Sequence, residues 1–290
     1  MRDASPHERV SAGDGTVLAM RFFEPEAAPR GAVLLVPAMG TLQGFYAPLA
    51  RWLSDQGFVA ATFDYRGTGR SLDGPVRRVQ ADLTDWARLD CAAALDALAA
   101  RAPGLPVTWV GHSLGGQILP FVPNRGRIDR VVTVGAGIGY WPLYPWRLRW
   151  GAPWLWYVLV PASLALFGYF PGRRLRKIGD VPRGAMAQWR RWCLDPDYAA
   201  GAERAHDRYE AVRTPIVGLA FTDDEFMSAR AVERLHALYS GAPVTLLRIG
   251  PAEAGVRRVG HFGFFRESSG AALWRDTLLP ALARRGDVSP

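Results

Sequence analysis

Val107-Thr108-Trp109-Val110-Gly111-His112-Ser113-Leu114-Gly115-Gly116-Gln117 decides the fold. Val107–Val110 reads as a strand, and Gly116-Gln117-Ile118-Leu119 as the start of a helix. Between them Gly-x-Ser-x-Gly predicts a turn so sharp that its central residue is strained. Glycines two positions to either side keep side chains out of the bend, and the serine oxygen is lifted above the sheet edge. The helix that follows points its dipole and free N–H groups at a developing oxyanion. Ser113 is therefore the candidate nucleophile, and the N–H of Leu114 a candidate oxyanion donor. The competing reading is a glycine-rich turn with an ordinary serine, and only the flanking strand and helix argue against it.

On either side of this stretch, strands alternate with helices. Residues 8–23 read as two short strands joined at Asp14-Gly15. Ala32–Val36 is a continuous apolar run, as a strand buried on both faces requires. Residues 45–56 look helical, closed by Gly57, and Phe58–Phe63 is the next strand. Leu83, Trp86, Leu89, Ala93, Leu95 and Leu98 recur at near-helical spacing over 83–101. Ile128–Val134, Pro215–Phe221 and Val244–Ile249 complete the strands. The rhythm predicts an α/β fold with a mostly parallel central sheet flanked by helices.

A serine hydroxyl needs a base, and the base needs an acid that fixes its tautomer. Five histidines are available. His7 lies at the N-terminus, His112 reads as packing, and His206 and His236 read as surface residues in polar helical segments. His261 sits in the glycine-flanked loop 258–263 after the last strand, at the carboxyl end of the sheet where catalytic loops belong. The acid comes from Asp223-Asp224-Glu225 after the strand 215–221. Asp224 is the first choice and Asp223 the second, with two of the three acids expected in a solvated turn. Asp64 and Arg66 border the site as loop anchors. Gly135-Ala136-Gly137-Ile138-Gly139 lacks the third glycine of a dinucleotide loop, so no cofactor is expected.

The chain has 290 residues, with 49% hydrophobic and 21% charged, enough for a sizeable core. Thirty-five bases against 27 acids give +8. No nucleic-acid motif accompanies that charge. Two cysteines, Cys91 and Cys193, are expected as reduced thiols, and no metal pattern is present. The first fifteen residues hold no apolar signal core, so a cytoplasmic protein is expected.

Residues 139–211 break the rhythm and read as a mainly helical cap inserted between core segments 1–138 and 212–290. They hold seven of the eleven tryptophans, and Arg147–Arg191 carries nine bases and one acid, Asp180. Trp150–Phe170 is uncharged, close to the ~20 residues that cross a bilayer. Strands of one sheet precede and follow it, so both ends return to the same side, and Gly151, Pro153, Pro161 and Gly168 interrupt it. Three readings stay open: a self-packed cap, a roof over an acyl pocket, and a peripheral contact with anionic membrane at the inner face. In the last, the tryptophans act with Arg147, Arg149, Arg173, Arg174 and Arg176 as interface anchors.

LLVPAMG at 34–40, FDYRGTGRS at 63–71, VGHSLGGQ at 110–117, GAGIGYW at 135–141 and GHFGFFR at 260–266 resemble the α/β-hydrolase superfamily. The likeness is to its serine-aminopeptidase and monoglyceride-lipase-like branch, and especially to a group of bacterial hydrolases with little functional characterisation. It implies the α/β-hydrolase fold and the triad order Ser113, Asp224, His261. In the family the acid commonly stands three residues beyond a glycine, here replaced by Phe221. The second oxyanion donor comes from the loop that commonly begins His-Gly. Here that loop is Pro37-Ala38-Met39-Gly40, and Met39 aligns best with the donor. The expected activity is hydrolysis of an apolar small-molecule carboxylic ester without cofactor or metal. An acyltransferase or thioesterase with the same triad is the rival, and a non-catalytic membrane-associated binding protein the other. The oligomeric state is left open.

Overall fold

The computed structural model describes residues 7–175 and 178–283. Residues 1–6, in the segment scanned for a signal core, and Arg176 lie outside the described residues. Eight strands form one sheet: β1 (Glu8–Ser11), β2 (Val17–Phe23), β3 (Gly31–Val36), β4 (Phe58–Phe63), β5 (Val107–His112), β6 (Arg130–Val134), β9 (Ile216–Phe221) and β10 (Val244–Ile249). The short pair β7 (Tyr169–Phe170) and β8 (Val181–Pro182) lies apart from it. The order across the sheet is β1-β2-β4-β3-β5-β6-β9-β10. β2 runs antiparallel to β1 and β4, and every pairing from β4 to β10 is parallel. This is the expected mostly parallel α/β sheet.

Period-two alternation sends successive side chains of a central strand into opposite cores, which is why β3 is apolar throughout. In β3, Ala32, Leu34 and Val36 face one core, while Val33 and Leu35 face the other. The first core packs under residues 83–101 and the inserted helices; the second packs under Ala47–Asp55 and the C-terminal helices. Residues 83–101 run as one helical course with a π-helical turn at Trp86–Cys91, opened by an Asp82/Asp85 capping box. The π turn buries Asp90, which accepts from Arg66 Nε at 2.6 Å. Arg66 also reaches Asp14 in the β1–β2 turn, so it ties three segments together. Asp64 accepts from the Gln43 N–H at 2.8 Å and the Arg70 N–H at 2.9 Å. Both residues are loop anchors.

Between β6 and β9 lie short helices, among them Trp146–Arg149, Ala152–Trp154, Val160–Phe167 and Arg183–Leu194. Tyr144, Trp156 and Trp192 are buried in the same core as the sheet, so this segment packs firmly on the rest of the chain. Among the described residues, no helix is long and apolar enough to cross a membrane. Cys91 and Cys193 are buried free thiols.

One histidine departs from the sequence reading. His206 is exposed as expected, but His236 is buried. It lies on the inward face of the helix Ala229–Ala237 with Ala231, Val232 and Leu235. Its Nδ1–H donates to the Val232 carbonyl at 2.8 Å, and Nε2 accepts from the Thr133 hydroxyl at 2.8 Å. The polar neighbours along the helix hid this, because a single inward position does not alter its overall polarity.

Candidate active site

The carboxyl ends of β3, β5, β6, β9 and the loop after β10 meet at one edge of the sheet. At the end of β5, Ser113 has φ 50° and ψ −111°, a backbone that L-residues rarely adopt. Its own N–H is held by the Val134 carbonyl at 2.9 Å, at the end of β6. A Cβ on Gly111 would lie 2.5 Å from the Gly115 carbonyl oxygen, and one on Gly115 would collide with the Val36 carbonyl. The glycines are therefore steric requirements of the bend, as the motif implied.

The helix after the serine is shorter than the sequence suggested. It covers only Leu114–Gln117 and passes into a tighter turn at Leu119–Phe121, where Pro120 has no N–H to continue it. A single turn carries little macrodipole, so individual N–H groups take over that role. Leu114 opens the helix, which leaves its N–H without an intrahelical acceptor.

His261 and Asp224 meet directly: Nδ1 lies 2.8 Å from Asp224 Oδ2, with both side chains buried. The other Asp224 oxygen accepts from the N–H groups of Phe226 and Met227 at 2.7 and 2.9 Å, which fixes the carboxylate plane. Gly135, the residue after Val134, abuts both His261 Nδ1 and Asp224 Oδ2. Ser113, Gly135, Asp224 and His261 thus occupy one locus. Asp223 and Glu225 are not idle in a solvated turn. Asp223 accepts from the N–H groups of Val259 and Gly260 at 2.9 and 3.0 Å, and Glu225 from the His261 N–H at 3.0 Å. All three acids grip the histidine loop, because its backbone donors have no strand to pair with.

A buried chain of hydrogen bonds joins the loops. The Ala38 N–H donates to Tyr46 Oη at 2.8 Å, Tyr46 donates to His112 Nδ1 at 2.9 Å, and His112 Nε2–H donates to the His261 carbonyl at 3.0 Å. The carbonyl can only accept, so it sets the His112 tautomer. Gly40, at the other end of the 37–40 loop, accepts from the Gly179 N–H at 3.0 Å. Met39 is therefore held between two anchored neighbours. Burial, followed by the neighbouring His261, holds His112 well below the ordinary imidazole range, and burial lowers His236 too.

Both shifts make stability pH-dependent with one sign. Below about pH 6.5 the unfolded histidines take up protons that the folded ones refuse. Stability is then lost as pH falls from 6.5 toward the folded values, with a slope of about 1.4 kcal/mol per pH unit for each histidine. Urea midpoints measured from neutral pH to about pH 5 should fall, and His236→Gln should flatten the curve. Identical curves for the two proteins would exclude His236 as a cause.

Sequence reading missed the supports of the nucleophile turn. Gln117 donates to the Gly137 carbonyl at 2.6 Å and accepts from the Tyr198 hydroxyl at 2.9 Å. Tyr209 donates to the Gln117 carbonyl and Tyr239 to that of Gly116. The three tyrosines lie more than 80 positions away, so no local pattern betrays them. The rings of Phe226 and Phe262 stand 5.1 Å from the His261 ring and form an aromatic wall beside it.

With this geometry in place, comparisons with known proteins agree on the frame. The model of the family "Serine aminopeptidase, S33" matches residues 27–174. Monoglyceride lipase from Homo sapiens is 33% identical over 105 residues, 36% of this chain and 34% of that protein. The match thus spans about a third of the length of that relative. A soluble variant of monoglyceride lipase from Saccharomyces cerevisiae superposes with a TM-score of 0.69 at 17% identity, covering 97% of this chain and 96% of that one. An esterase from Exiguobacterium antarcticum superposes with a TM-score of 0.60 at 18% identity, covering 95% and 98%. The fold is the α/β-hydrolase fold.

Proposed function

Because the chain belongs to the serine aminopeptidase S33 family, we propose that it is a serine hydrolase that cleaves an apolar carboxylic ester through an acyl-enzyme. His261 takes the proton of the Ser113 hydroxyl through Nε2, and the serine oxygen attacks the ester carbonyl. The N–H groups of Leu114 and Met39 hold the tetrahedral oxyanion. Asp224 keeps the His261 Nδ1–H oriented and stabilises the imidazolium. The imidazolium then gives its proton to the departing alkoxide, leaving an alcohol and an acylated Ser113. A water, deprotonated by His261, attacks the acyl carbonyl and releases the acid and the free serine. No cofactor or metal enters this scheme.

The single observation that carries the reading is the buried 2.8 Å contact of His261 Nδ1 with Asp224, at the same sheet edge as a serine with positive φ. The similarity to monoglyceride lipase favours an ester with an apolar acyl chain. The helices of 139–211 then serve as the cap, and the buried free thiols Cys91 and Cys193 suit a cytoplasmic setting.

A panel of monoacyl esters of increasing chain length tests the proposal. kcat/KM should rise with acyl length by about fourfold for each methylene buried, as apolar transfer predicts. Folded wild-type protein that turns over no ester on the panel would end this reading.

A further inference from the structure

Residues 146–167 follow a nearly unbroken helical course, first as Trp146–Arg149 and Ala152–Trp154, then as a π-helical turn at Leu155–Leu159, then as Val160–Phe167. At ~1.5 Å per residue the course is about 33 Å long. Its inner side, with Ala152, Trp156, Val160 and Leu164, is buried in the core. Its outer side is apolar as well. Of the ten exposed large apolar side chains among the described residues, seven lie here. Trp150 is 79% exposed, Leu166 77%, Trp146 63% and Trp154 58%, joined by Tyr157 and Phe167. Trp146, Trp150, Trp154 and Val158 recur every four positions, which places them on one stripe.

A soluble surface has no reason to keep so many large apolar side chains together. The charge around the stripe identifies what covers it. Arg147, Arg149, Arg173 and Arg174 are exposed near its ends in sequence, and Arg147–Arg191 holds nine bases and one acid. That acid, Asp180, is engaged with the Arg173 backbone N–H at 3.1 Å. The Arg147 guanidinium lies 5.1 Å from the Trp146 ring centroid, and that of Arg190 5.7 Å from Tyr157. Exposed tryptophans, with arginines over the rings of Trp146 and Tyr157, suit the headgroup region of a bilayer, where one end of each side chain is wet. A second copy of the chain would bring one arginine-rich rim against another, and like charges disfavour that.

We propose that the outer face of residues 146–167 docks the protein on the surface of an anionic bilayer, lying flat with its tryptophans and leucine in the headgroup–acyl boundary. The proposal extends the hydrolase reading by naming where the enzyme works, but it does not depend on Ser113 chemistry. Each arginine near the anionic surface strengthens binding about fivefold.

Co-sedimentation of the full chain with vesicles tests it. With roughly 30% phosphatidylglycerol in phosphatidylcholine, binding should exceed that to pure phosphatidylcholine at least tenfold and should fall steeply as salt rises toward about 1 M. Trp150→Ser/Trp154→Ser/Leu166→Ser should weaken binding by about a hundredfold and leave turnover of a soluble short-chain ester within about twofold. Arg147→Glu/Arg149→Glu, on an exposed surface, should weaken it by at least tenfold. Ser113→Ala should bind like the wild type, which separates failure of docking from failure of hydrolysis. Equal binding to both vesicle types, or none, would overturn the proposal. So would a stable dimer, seen by light scattering without lipid, that the tryptophan substitutions dissociate.

Discussion

Ser113→Ala should fold normally and lose at least about 10⁴-fold in kcat on the best ester of the panel, because removing the nucleophile disables the relay as a unit. Labelling by a fluorophosphonate should vanish with it. The same position gives a second readout that activity alone cannot. Ser113 sits at φ 50°, a backbone strain worth about 1–3 kcal/mol. Alanine has the same Cβ and keeps that strain, so its stability should match the wild type. Glycine relieves it, less about 0.5–1 kcal/mol for the added freedom of the unfolded chain. Ser113→Gly should therefore unfold at higher urea than either, by about 1 kcal/mol, while being equally inactive. Strain stored at the nucleophile and nowhere used would be an odd feature of a mere glycine turn. If Ser113→Ala retained turnover and labelling, the nucleophile would be another residue.

Local information made the sheet legible. β3, β4 and β5 are buried on both faces, so β3 reads as an unbroken apolar run and β4 and β5 as runs broken only by a threonine and, in β5, by His112 at its end. β10 reads as a strand from its β-branched and aliphatic residues, although as the edge strand it is largely exposed. The serine turn was legible for a steric reason: only glycine fits beside the Gly115 and Val36 carbonyls, so the constraint is written into adjacent positions. What stayed hidden is what tertiary contact decides. His236 faces inward because Thr133, 103 positions away, completes it. The chain Ala38–Tyr46–His112–His261 joins residues from three separate segments, and nothing in the spacing of Tyr46 and His112 marks them as partners. Likewise, Asp223 and Glu225 looked solvated because acids in a turn usually are, whereas here the turn faces a second loop rich in unpaired N–H groups.

That same loop-to-loop grip allows the acid to be assigned by experiment, and the expected effect is large. In Asp224→Asn, Oδ1 still has to accept from the Phe226 and Met227 N–H groups, so the amide nitrogen takes the place of Oδ2 against His261. An NH₂ group donates, which forces His261 Nδ1 to accept and moves the ring proton to Nε2. The nitrogen that should receive the serine proton is then already protonated, and kcat should fall about 10⁴-fold with the backbone contacts intact. Asp223→Asn meets a different problem. Its two oxygens each accept from a separate backbone N–H, and an amide oxygen can serve only one of them well. The loop loses about 1–3 kcal/mol, and kcat should fall only about tenfold as His261 is held less firmly. Urea melts with kcat measured on the same preparations separate the two: Asp224→Asn is inactive with nearly full stability, and Asp223→Asn is less stable and keeps about a tenth of the activity. The opposite order would move the acid to Asp223 and require His261 to turn away from the carboxylate it now touches.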